Sequence, residues 1–236
     1  MTTLQKKLIS ITALLCVTAG VQAATLIASQ DNYVLNSASS TVQDATGHLV
    51  VKRASNNIRK SWIKFDFSGE NVDFSQSGTV TLTLAANSSA DETFKVALYA
   101  LKDDQDPGTG WTENAITWSN APGNDTGGAG INDLESRETT FLGETATIAS
   151  STAAGTTFEF TIDTLSDFRQ VNNTLTVIAI SSYQSDFGPS LAFASSENAT
   201  EAWRPTLEYS VIPEPSSVAL VLLGFAGFVV AIRRKP

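Results

Sequence analysis

Short runs of alternating polar and apolar residues constrain the fold of this chain more than any other feature. Polar and apolar residues alternate at every position of 79–84 and 157–162, and in 94–98 Lys95 and the small Ala97 alternate with larger apolar residues. Because successive side chains of a strand point to opposite faces, such runs predict antiparallel strands with one buried face. Other β-branched and aromatic segments, bounded by Gly, Asn, Asp, Ser and Pro, predict strands at 33–35, 48–53, 61–67, 140–148, 175–181, 191–194 and 206–211.

About ten short strands with almost no helix predict an all-β domain. Only 164–171 has the apolar spacing of a short helix, and Asp163 precedes it as a candidate N-cap. The pattern therefore indicates two antiparallel sheets packed face to face, a β-sandwich of the jelly-roll kind. The glycine-rich stretch 123–130 lacks a strand–loop–helix context, so it predicts a flexible surface loop rather than a phosphate-binding loop.

The first 23 residues predict a secretory signal peptide. Lys6 and Lys7 precede an apolar stretch from 8 to 21, and small residues mark a cleavage point at Ala23. The stretch is short for a membrane span, which takes roughly 20 residues. The single cysteine, Cys16, lies within this segment. The mature domain is therefore expected to contain neither a disulfide nor a catalytic thiol.

The C-terminal segment, 212–236, carries the most specific pattern in the sequence. An apolar run from 218 to 232 has the length of a short transmembrane helix, and the cations after it are expected to remain in the cytoplasm. The domain before the run would then lie outside the inner membrane. The motif that precedes the run is Pro213, Glu214 and Pro215, and the cations that stop the helix are Arg233, Arg234 and Lys235.

This order of motif, apolar helix and basic end resembles the PEP-CTERM sorting signal. The resemblance implies recognition by an exosortase, a membrane peptidase that removes the tail and passes the protein to the cell surface or the extracellular matrix. Anchoring in the inner membrane would then be an intermediate step. The expected organisation is a signal peptide at 1–23, one β-sandwich domain at 24–211, and a sorting and anchor segment at 212–236.

Several motifs in the middle of the chain together resemble the DNRLRE-type domain. They are DNYV at 31–34, KFDFS at 64–68, VALY at 96–99, WTENAITWSNAP at 111–122 and RPTLEY at 204–209. Domains of this type resemble jelly-roll carbohydrate-binding modules, and some bind alginate. The resemblance implies a non-catalytic role in binding an acidic, alginate-like polysaccharide. No catalytic domain accompanies the module in this sequence, so any enzymatic partner would be a separate protein.

The middle domain is acidic, yet half of its cations are clustered. Residues 24–212 hold 10 Lys and Arg against 23 Asp and Glu, so nucleic acid is not an expected partner. Arg and Lys are the side chains that bind the carboxylates of an acidic glycan. On a strand over 61–67, Trp62 shares a face with Lys60 and Lys64, where it would stack on a sugar ring. The predicted glycan-binding residues are Lys52, Arg53, Arg59, Lys60, Trp62 and Lys64.

Each of these assignments has a structural alternative. The clustered cations would otherwise form a solvated strand face, with Trp62 covered by a loop or by the second sheet. Trp111 and Trp118 are expected to be structural, because Ile116 shares the alternation of Trp118. Carboxylates before Pro107 are candidate ligands of a structural calcium ion, although a solvated acidic turn is the favoured explanation for them. One carboxylate near the first strand is a second candidate ligand. These candidates are Asp103, Asp104, Asp106 and Asp31.

Two other functional classes remain open on sequence alone. His48 is the only histidine, and no nucleophile elbow or zinc-binding helix motif is present, which excludes most familiar hydrolase sites. Pairs of carboxylates suffice for glycoside hydrolysis, so a polysaccharide-degrading enzyme is a minor alternative. The main alternative is a structural or adhesive matrix or biofilm protein without glycan binding, for which a flat apolar patch would be diagnostic.

Overall fold

The described elements are short strands joined by turns, as the alternating and β-branched runs predict. The computed structural model describes residues 22–54, 57–86, 95–102, 110–127, 134–170, 172–182 and 190–211. Within these ranges the helical elements are 3₁₀ turns at Asn36–Ala38, Leu165–Asp167 and Glu201–Trp203. The strands are β1 (Gln22–Ile27), β2 (Gln30–Leu35), β3 (His48–Lys52), β4 (Arg59–Asp66), β5 (Gly78–Ala86), β6 (Val96–Leu101), β7 (Thr139–Glu144), β8 (Thr157–Ile162), β9 (Thr174–Ser181), β10 (Ser190–Ala194) and β11 (Thr206–Val211).

One antiparallel sheet curls into two facing layers because β5 belongs to both. The larger layer has the order β10-β3-β4-β9-β6-β7, with β2 paired to β4. The smaller layer consists of β1, β11, β5 and β8. The first part of β5 pairs with β8 and β11, whereas Leu84 and Ala86 pair with β10. A register shift between Ala192 and Phe193 accompanies the change of layer, as expected where a strand bends.

The main core lies between the two layers. The larger layer contributes Ile63 and Phe65 from β4, and the smaller layer contributes Val80 and Leu82 from β5, all fully buried. Each burial of a Val, Leu, Ile or Phe side chain contributes roughly 1.5–3 kcal/mol. Rings from both layers also meet edge to face, as Phe158 does with Phe193 at 6.1 Å between centroids.

A second core covers the outer face of the larger layer, which is the face directed away from the smaller layer. Its strand members alternate with members of the main core: Trp62 with Ile63, and Tyr99 with Leu98. Residues 110–127, here called the covering loop, pack over this face. The loop contributes Trp111, Ile116, Trp118 and Ala121. Both faces of the larger layer are therefore buried along much of β4, β6 and β9.

The predicted all-β class and antiparallel sandwich are confirmed, with eleven strands in the described ranges instead of about ten. The added strand is β1, which begins at Gln22, within the segment assigned to the signal peptide. The predicted helix at 164–171 is wrong: Leu165–Asp167 forms a 3₁₀ turn without a side-chain cap. The start of the predicted surface loop 123–130 is buried, because Gly123 and Asn124 belong to the packed covering loop.

Candidate functional site

The residues of β4 alternate between its two faces as the sequence predicts, but Lys60, Trp62 and Lys64 on the outer face are buried. Ile63 and Phe65 point into the main core, and Lys60, Trp62 and Lys64 point to the outer face. The covering loop closes over that face. The exposed fractions are 2 % for Lys60, 0 % for Trp62 and 5 % for Lys64. The expectation that this face is open to a ligand is therefore wrong, and the alternative in which a loop covers Trp62 is the one observed.

The indole of Trp62 is fixed by the covering loop. Its Nε1 donates a hydrogen bond of 3.0 Å to the carbonyl oxygen of Pro122. A ring that stacks on a sugar must expose one face, and Trp62 exposes none. Trp62 therefore packs the second core and does not form a stacking platform in this structure.

The two lysines that flank Trp62 are each held beneath a tryptophan of the covering loop. The Lys60 ammonium lies 4.4 Å from the ring centroid of Trp118, and the Lys64 ammonium lies 4.4 Å from that of Trp111. Lys60 also donates to Oδ1 of Asn124 at 2.7 Å, and Lys64 donates to the carbonyl oxygen of Trp111. Burial lowers the pKa of the Lys64 ammonium. These contacts join β4 to the covering loop.

Trp111 and Trp118 are buried, which agrees with the structural role expected for them. The Trp111 Nε1 donates to Oγ1 of Thr176 on β9 at 3.1 Å. The Trp118 carbonyl accepts a hydrogen bond of 2.6 Å from Nδ2 of Asn124. Each tryptophan of the WTENAITWSNAP block thus combines a cation contact with a hydrogen bond, and the block attaches the covering loop to the sheet.

The remaining predicted cations converge at one end of β3 and β4. Lys52 and Arg59 are directly opposite each other in the antiparallel pair. With Arg53 and Lys60 they line a cleft of only about 10 Å³, hereafter the basic cleft, which Ile180 and Ser181 of β9 complete. Arg53 is buried, whereas Lys52 and Arg59 are partly exposed. The Arg59 guanidinium lies 5.8 Å from the Tyr33 ring. Four of the six predicted residues are therefore neighbours, and two of them reach the surface.

Of the four residues predicted as calcium ligands, only Asp31 lies within the described ranges. Asp103, Asp104 and Asp106 lie outside the described ranges. Asp31 is buried, and its Oδ2 accepts the Ser196 amide hydrogen at 2.7 Å, while no described group meets hydrogen-bond geometry for Oδ1. Ca²⁺ takes six to eight oxygen ligands, yet no set of three or more acidic, His or Cys side chains suited to a metal occurs in the described ranges. A structural calcium ion at Asp31 stays a prediction.

The protonation of Asp31 follows from this environment. Burial raises the pKa of the carboxyl from 3.8 to about 7, and the charges of Glu197 and Glu113 act in the same direction. The hydrogen bond from the Ser196 amide opposes them. In this environment the neutral form of the Asp31 carboxyl is therefore favoured more strongly than in an exposed carboxyl.

An aromatic concavity that the sequence did not predict lies on β6 and β7. Its open volume is about 540 Å³, and Tyr99, Phe141, Glu144 and Ser182 are among its lining residues. The Phe141 ring is 54 % exposed and meets the Tyr99 ring edge to face at 5.4 Å. Of the large hydrophobic residues exposed in the described ranges, Phe141 alone is aromatic. An exposed aromatic side chain beside polar groups has the composition of a small-molecule site.

Comparison with known families assigns the described domain. The family profile of carbohydrate-binding module family 96 matches residues 22–162, which is more than half of the chain. The chain belongs to carbohydrate-binding module family 96. This family 96 chain also matches the PEP-CTERM protein-sorting motif at residues 211–235. No curated protein matches it significantly.

The two matches together describe a surface protein that binds carbohydrate. The PEP-CTERM motif marks an exported chain that an exosortase processes and that is displayed on the cell surface. The predicted Pro213, Glu214 and Pro215 lie within this match. The predicted anchor helix lies outside the described residues. Within the described ranges, no helix is long and apolar enough to cross a membrane.

The family 96 match ends before three strands that complete the sheet. β9 lies between β4 and β6, β10 lies between β3 and β5, and β11 pairs with β5. All three follow residue 162. The basic cleft uses Ile180 and Ser181, and the aromatic concavity uses Ser182, so both candidate sites include residues beyond the match.

Proposed function

We propose that this family 96 module binds an acidic, alginate-like polysaccharide at the cell surface without catalysing its breakdown. The observation that carries the proposal is the convergence of Lys52, Arg53, Arg59 and Lys60 at the basic cleft, in a domain with more than twice as many acidic as basic residues. A local excess of cations is the chemistry that carboxylates of a uronic acid chain need.

The exposure of each cation determines whether its side chain can contact the glycan. Lys52 and Arg59 reach the surface and are the groups that meet a carboxylate of the polysaccharide. Arg53 and Lys60 are buried behind them, where they contribute positive electrostatic potential without touching the glycan. The cleft of about 10 Å³ has room for a water molecule but not for a sugar ring, so the glycan lies across its rim. Lys64 and Trp62 take no part in contact on this proposal.

Affinity electrophoresis of the full-length protein in a non-glycosidic detergent tests the proposal. Gels would contain alginate, a second acidic polysaccharide or a neutral glucan, and the variants would be Lys52→Gln, Arg59→Gln and both together. We expect selective retardation in the acidic gels, weakened by each substitution and reduced at higher salt, because partly exposed charges are screened. Release of new reducing ends from alginate, measured in parallel, would contradict the non-catalytic assignment.

Arg169→Gln is the matched control. Arg169 is exposed and lies 4.3 Å from the Phe74 ring centroid, so its loss also removes one charge and one ring contact. Arg169 is not among the residues that line the basic cleft. Retardation should persist in this variant. Equal mobility of the wild type in acidic and neutral gels would reject the acidic-glycan assignment. Equal loss in Arg59→Gln and Arg169→Gln would show that net charge, not the basic cleft, determines the retardation.

We further propose that residues 1–23 are removed on export and that residues 212–236 hold the protein in the inner membrane until an exosortase cleaves the tail. The Pro-Glu-Pro motif and the terminal cations support this order of events. Pro213→Ala/Pro215→Ala should cause a membrane-bound, uncleaved form to accumulate, as measured by mass spectrometry of membrane and secreted fractions. A secreted form of unchanged mass in the variant would contradict this proposal.

A further inference from the structure

The aromatic concavity owes its arrangement to a bulge at the edge of the larger layer. Leu98 pairs with Gly143, but Tyr99 pairs with Phe141, so Leu142 is an extra residue on β7. Leu142 packs against the main core, whereas Phe141 contacts Tyr99 on the outer face. Bulges at sheet edges re-aim side chains and are often found beside functional sites. Here the bulge places an aromatic ring at the surface of the last strand in the sheet order.

The same bulge brings a carboxylate to the face of Phe141. Glu144 is opposite Ala97, whose side chain belongs to the second core on the outer face. Without the extra residue, positions three apart on a strand would point to opposite faces. Phe141 and Glu144 consequently lie on one side of the sheet and line the same concavity of about 540 Å³.

The polar groups of the concavity are ordered and nearly neutral in sum. Lys95 forms an ion pair of 2.7 Å with Glu144, and this hydrogen bond lowers the pKa of the carboxyl. Ser182 lies close enough to lower that pKa further, although no described group meets hydrogen-bond geometry for its buried Oγ. Burial, and then the charge of Glu144, raise the pKa of the Tyr99 hydroxyl. The lining therefore offers the Glu144 carboxylate, beside which Lys95 is paired, and the hydroxyl groups of Tyr99, Ser136, Thr139 and Ser182.

We propose that this concavity binds an uncharged sugar ring of a polysaccharide. The apolar C–H face of a pyranose matches the exposed ring of Phe141, and its hydroxyls can donate to the Glu144 carboxylate and accept from Lys95. A uronic acid is disfavoured, because its carboxylate would have to compete with Glu144 for Lys95. This ligand class differs from that of the basic cleft, so the site neither requires nor replaces the acidic-glycan site.

The test uses affinity electrophoresis of the full-length protein in a non-glycosidic detergent, with laminarin, hydroxyethyl cellulose or galactomannan as the neutral probe. We expect retardation in at least one of these gels, and Phe141→Ala should weaken it by about tenfold or more, the equivalent of about 1.4 kcal/mol. Phe141→Tyr should retain binding because it keeps the ring. Glu144→Gln should weaken binding less, since the amide oxygen still accepts a hydrogen bond.

Ile27→Ala is the control, because it removes another exposed apolar side chain, on β1. It should leave the retardation unchanged. Absence of retardation in every neutral gel, or equal retardation of wild type and Phe141→Ala, would overturn the proposal. A change in sedimentation of Phe141→Ala without any glycan effect would also overturn it, because it would assign the ring to self-association. Acidic gels test Lys52 and Arg59 separately, so a negative result at one site does not affect the conclusion about the other.

Discussion

The ammonium group of Lys60 lies 4.4 Å from the ring centroid of Trp118 and is 2 % exposed, so a surface-type side chain is buried beneath an aromatic ring. Its hydrogen bond to Asn124 offsets part of the free-energy cost of removing the ammonium charge from water. Lys64 and Trp111 repeat the arrangement four residues further along β4. The cation cluster that favoured glycan binding in the sequence thus serves, in part, to hold the covering loop.

A double-mutant cycle should detect this attachment. Lys60→Met and Trp118→Leu should each destabilise the protein, and their effects should be non-additive by about 1–2 kcal/mol, because a desolvated cation–ring pair is stronger than an exposed one. Urea unfolding of the two single variants and the double variant measures the coupling. The exposed Arg169 and the partly buried Phe74 provide the comparison, with an expected coupling of about 0.5–1 kcal/mol. Additive effects at Lys60 and Trp118 would contradict the attachment.

Substitution of Trp62 should reduce stability without affecting glycan affinity. Trp62→Phe keeps most of the packing but removes the hydrogen bond to Pro122, so we expect a loss of about 1–3 kcal/mol. Because the ring is buried, retardation in acidic gels should be unchanged at temperatures where the variant is folded. Affinity electrophoresis combined with thermal unfolding makes this comparison. A folded Trp62→Phe variant that no longer binds would restore Trp62 as a contact residue.

Gly123 should tolerate no larger residue. Its φ is +71°, and an added Cβ would lie 2.7 Å from Leu101 Cδ2 and 2.8 Å from Thr139 Cγ2. Gly123→Ala should cost about 2–5 kcal/mol, the sum of a left-handed backbone and overpacking. Gly47 is the matched control, because its φ is +83° but nothing lies within 4 Å of an added Cβ. Gly47→Ala should cost only about 1–2 kcal/mol in the same denaturation experiment. Equal costs would remove the steric part of the explanation.

The stretch 22–162 that matches the family should not fold by itself. A fragment of these residues lacks β9 between β4 and β6, and β10 between β3 and β5. Central strands of the larger layer would then expose unpaired backbone groups and the apolar side chains of two cores. We expect no cooperative unfolding transition by circular dichroism, in contrast to residues 22–211. A cooperative transition in the shorter fragment would mean that the sheet can close without these strands.

Stability should fall with rising pH through the titration of Asp31. The folded pKa of about 7 lies above the ordinary value of 3.8. The protonated group therefore contributes stability that is fully present below pH 3.8 and is lost as the pH rises through 7, up to about 4 kcal/mol. Asp31→Asn keeps a neutral group that can accept the Ser196 hydrogen bond, so it should exceed the wild type in stability at pH 8 and not at pH 4. Urea unfolding across this range measures the difference.

Asp44 supplies a control of opposite sign. Hydrogen bonds from the side chain and amide of Thr46 lower the pKa of this exposed carboxyl. Its contribution is therefore present above the unfolded pKa and is lost as the pH falls through the lowered folded value. Asp44→Asn should reduce stability at neutral pH and approach the wild type in acid. A stability difference for Asp31→Asn that does not vary with pH would contradict the assignment of the buried carboxyl.

Sequence alone predicts the strands because alternation is a local signal. The sets Ile63 with Phe65 and Lys60 with Trp62 occupy opposite faces of β4, as period two requires. Whether the second face meets water depends on residues about fifty positions later, in the covering loop. Nothing in the alternation of β4 carries that information. Trp111 and Trp118 are the one indication in the sequence that the outer face of β4 is covered, because two large aromatic side chains in a loop require a surface to pack against.

The aromatic concavity could not be predicted from the sequence for a different reason. Regular alternation places Phe141 and Glu144 on opposite faces, and only the extra residue Leu142 brings them together. A bulge depends on the pairing with β6 and has no signature in the short run TTFLGE. Strand β1 was missed for a third reason, because Gln22 and Ala23 match the end of a signal peptide as well as the start of a strand.

The strand β5 links the two layers into one mechanical element. It pairs with β8 and β11 along its first part and with β10 at its end, so the layers cannot separate without breaking backbone hydrogen bonds between β5 and its neighbours. A protein displayed on a cell surface and attached to polysaccharide is subject to shear. Tension applied at β11 passes through β5 directly into β10 and β3, next to Lys52. The domain should therefore resist force as a single unit and yield in one step.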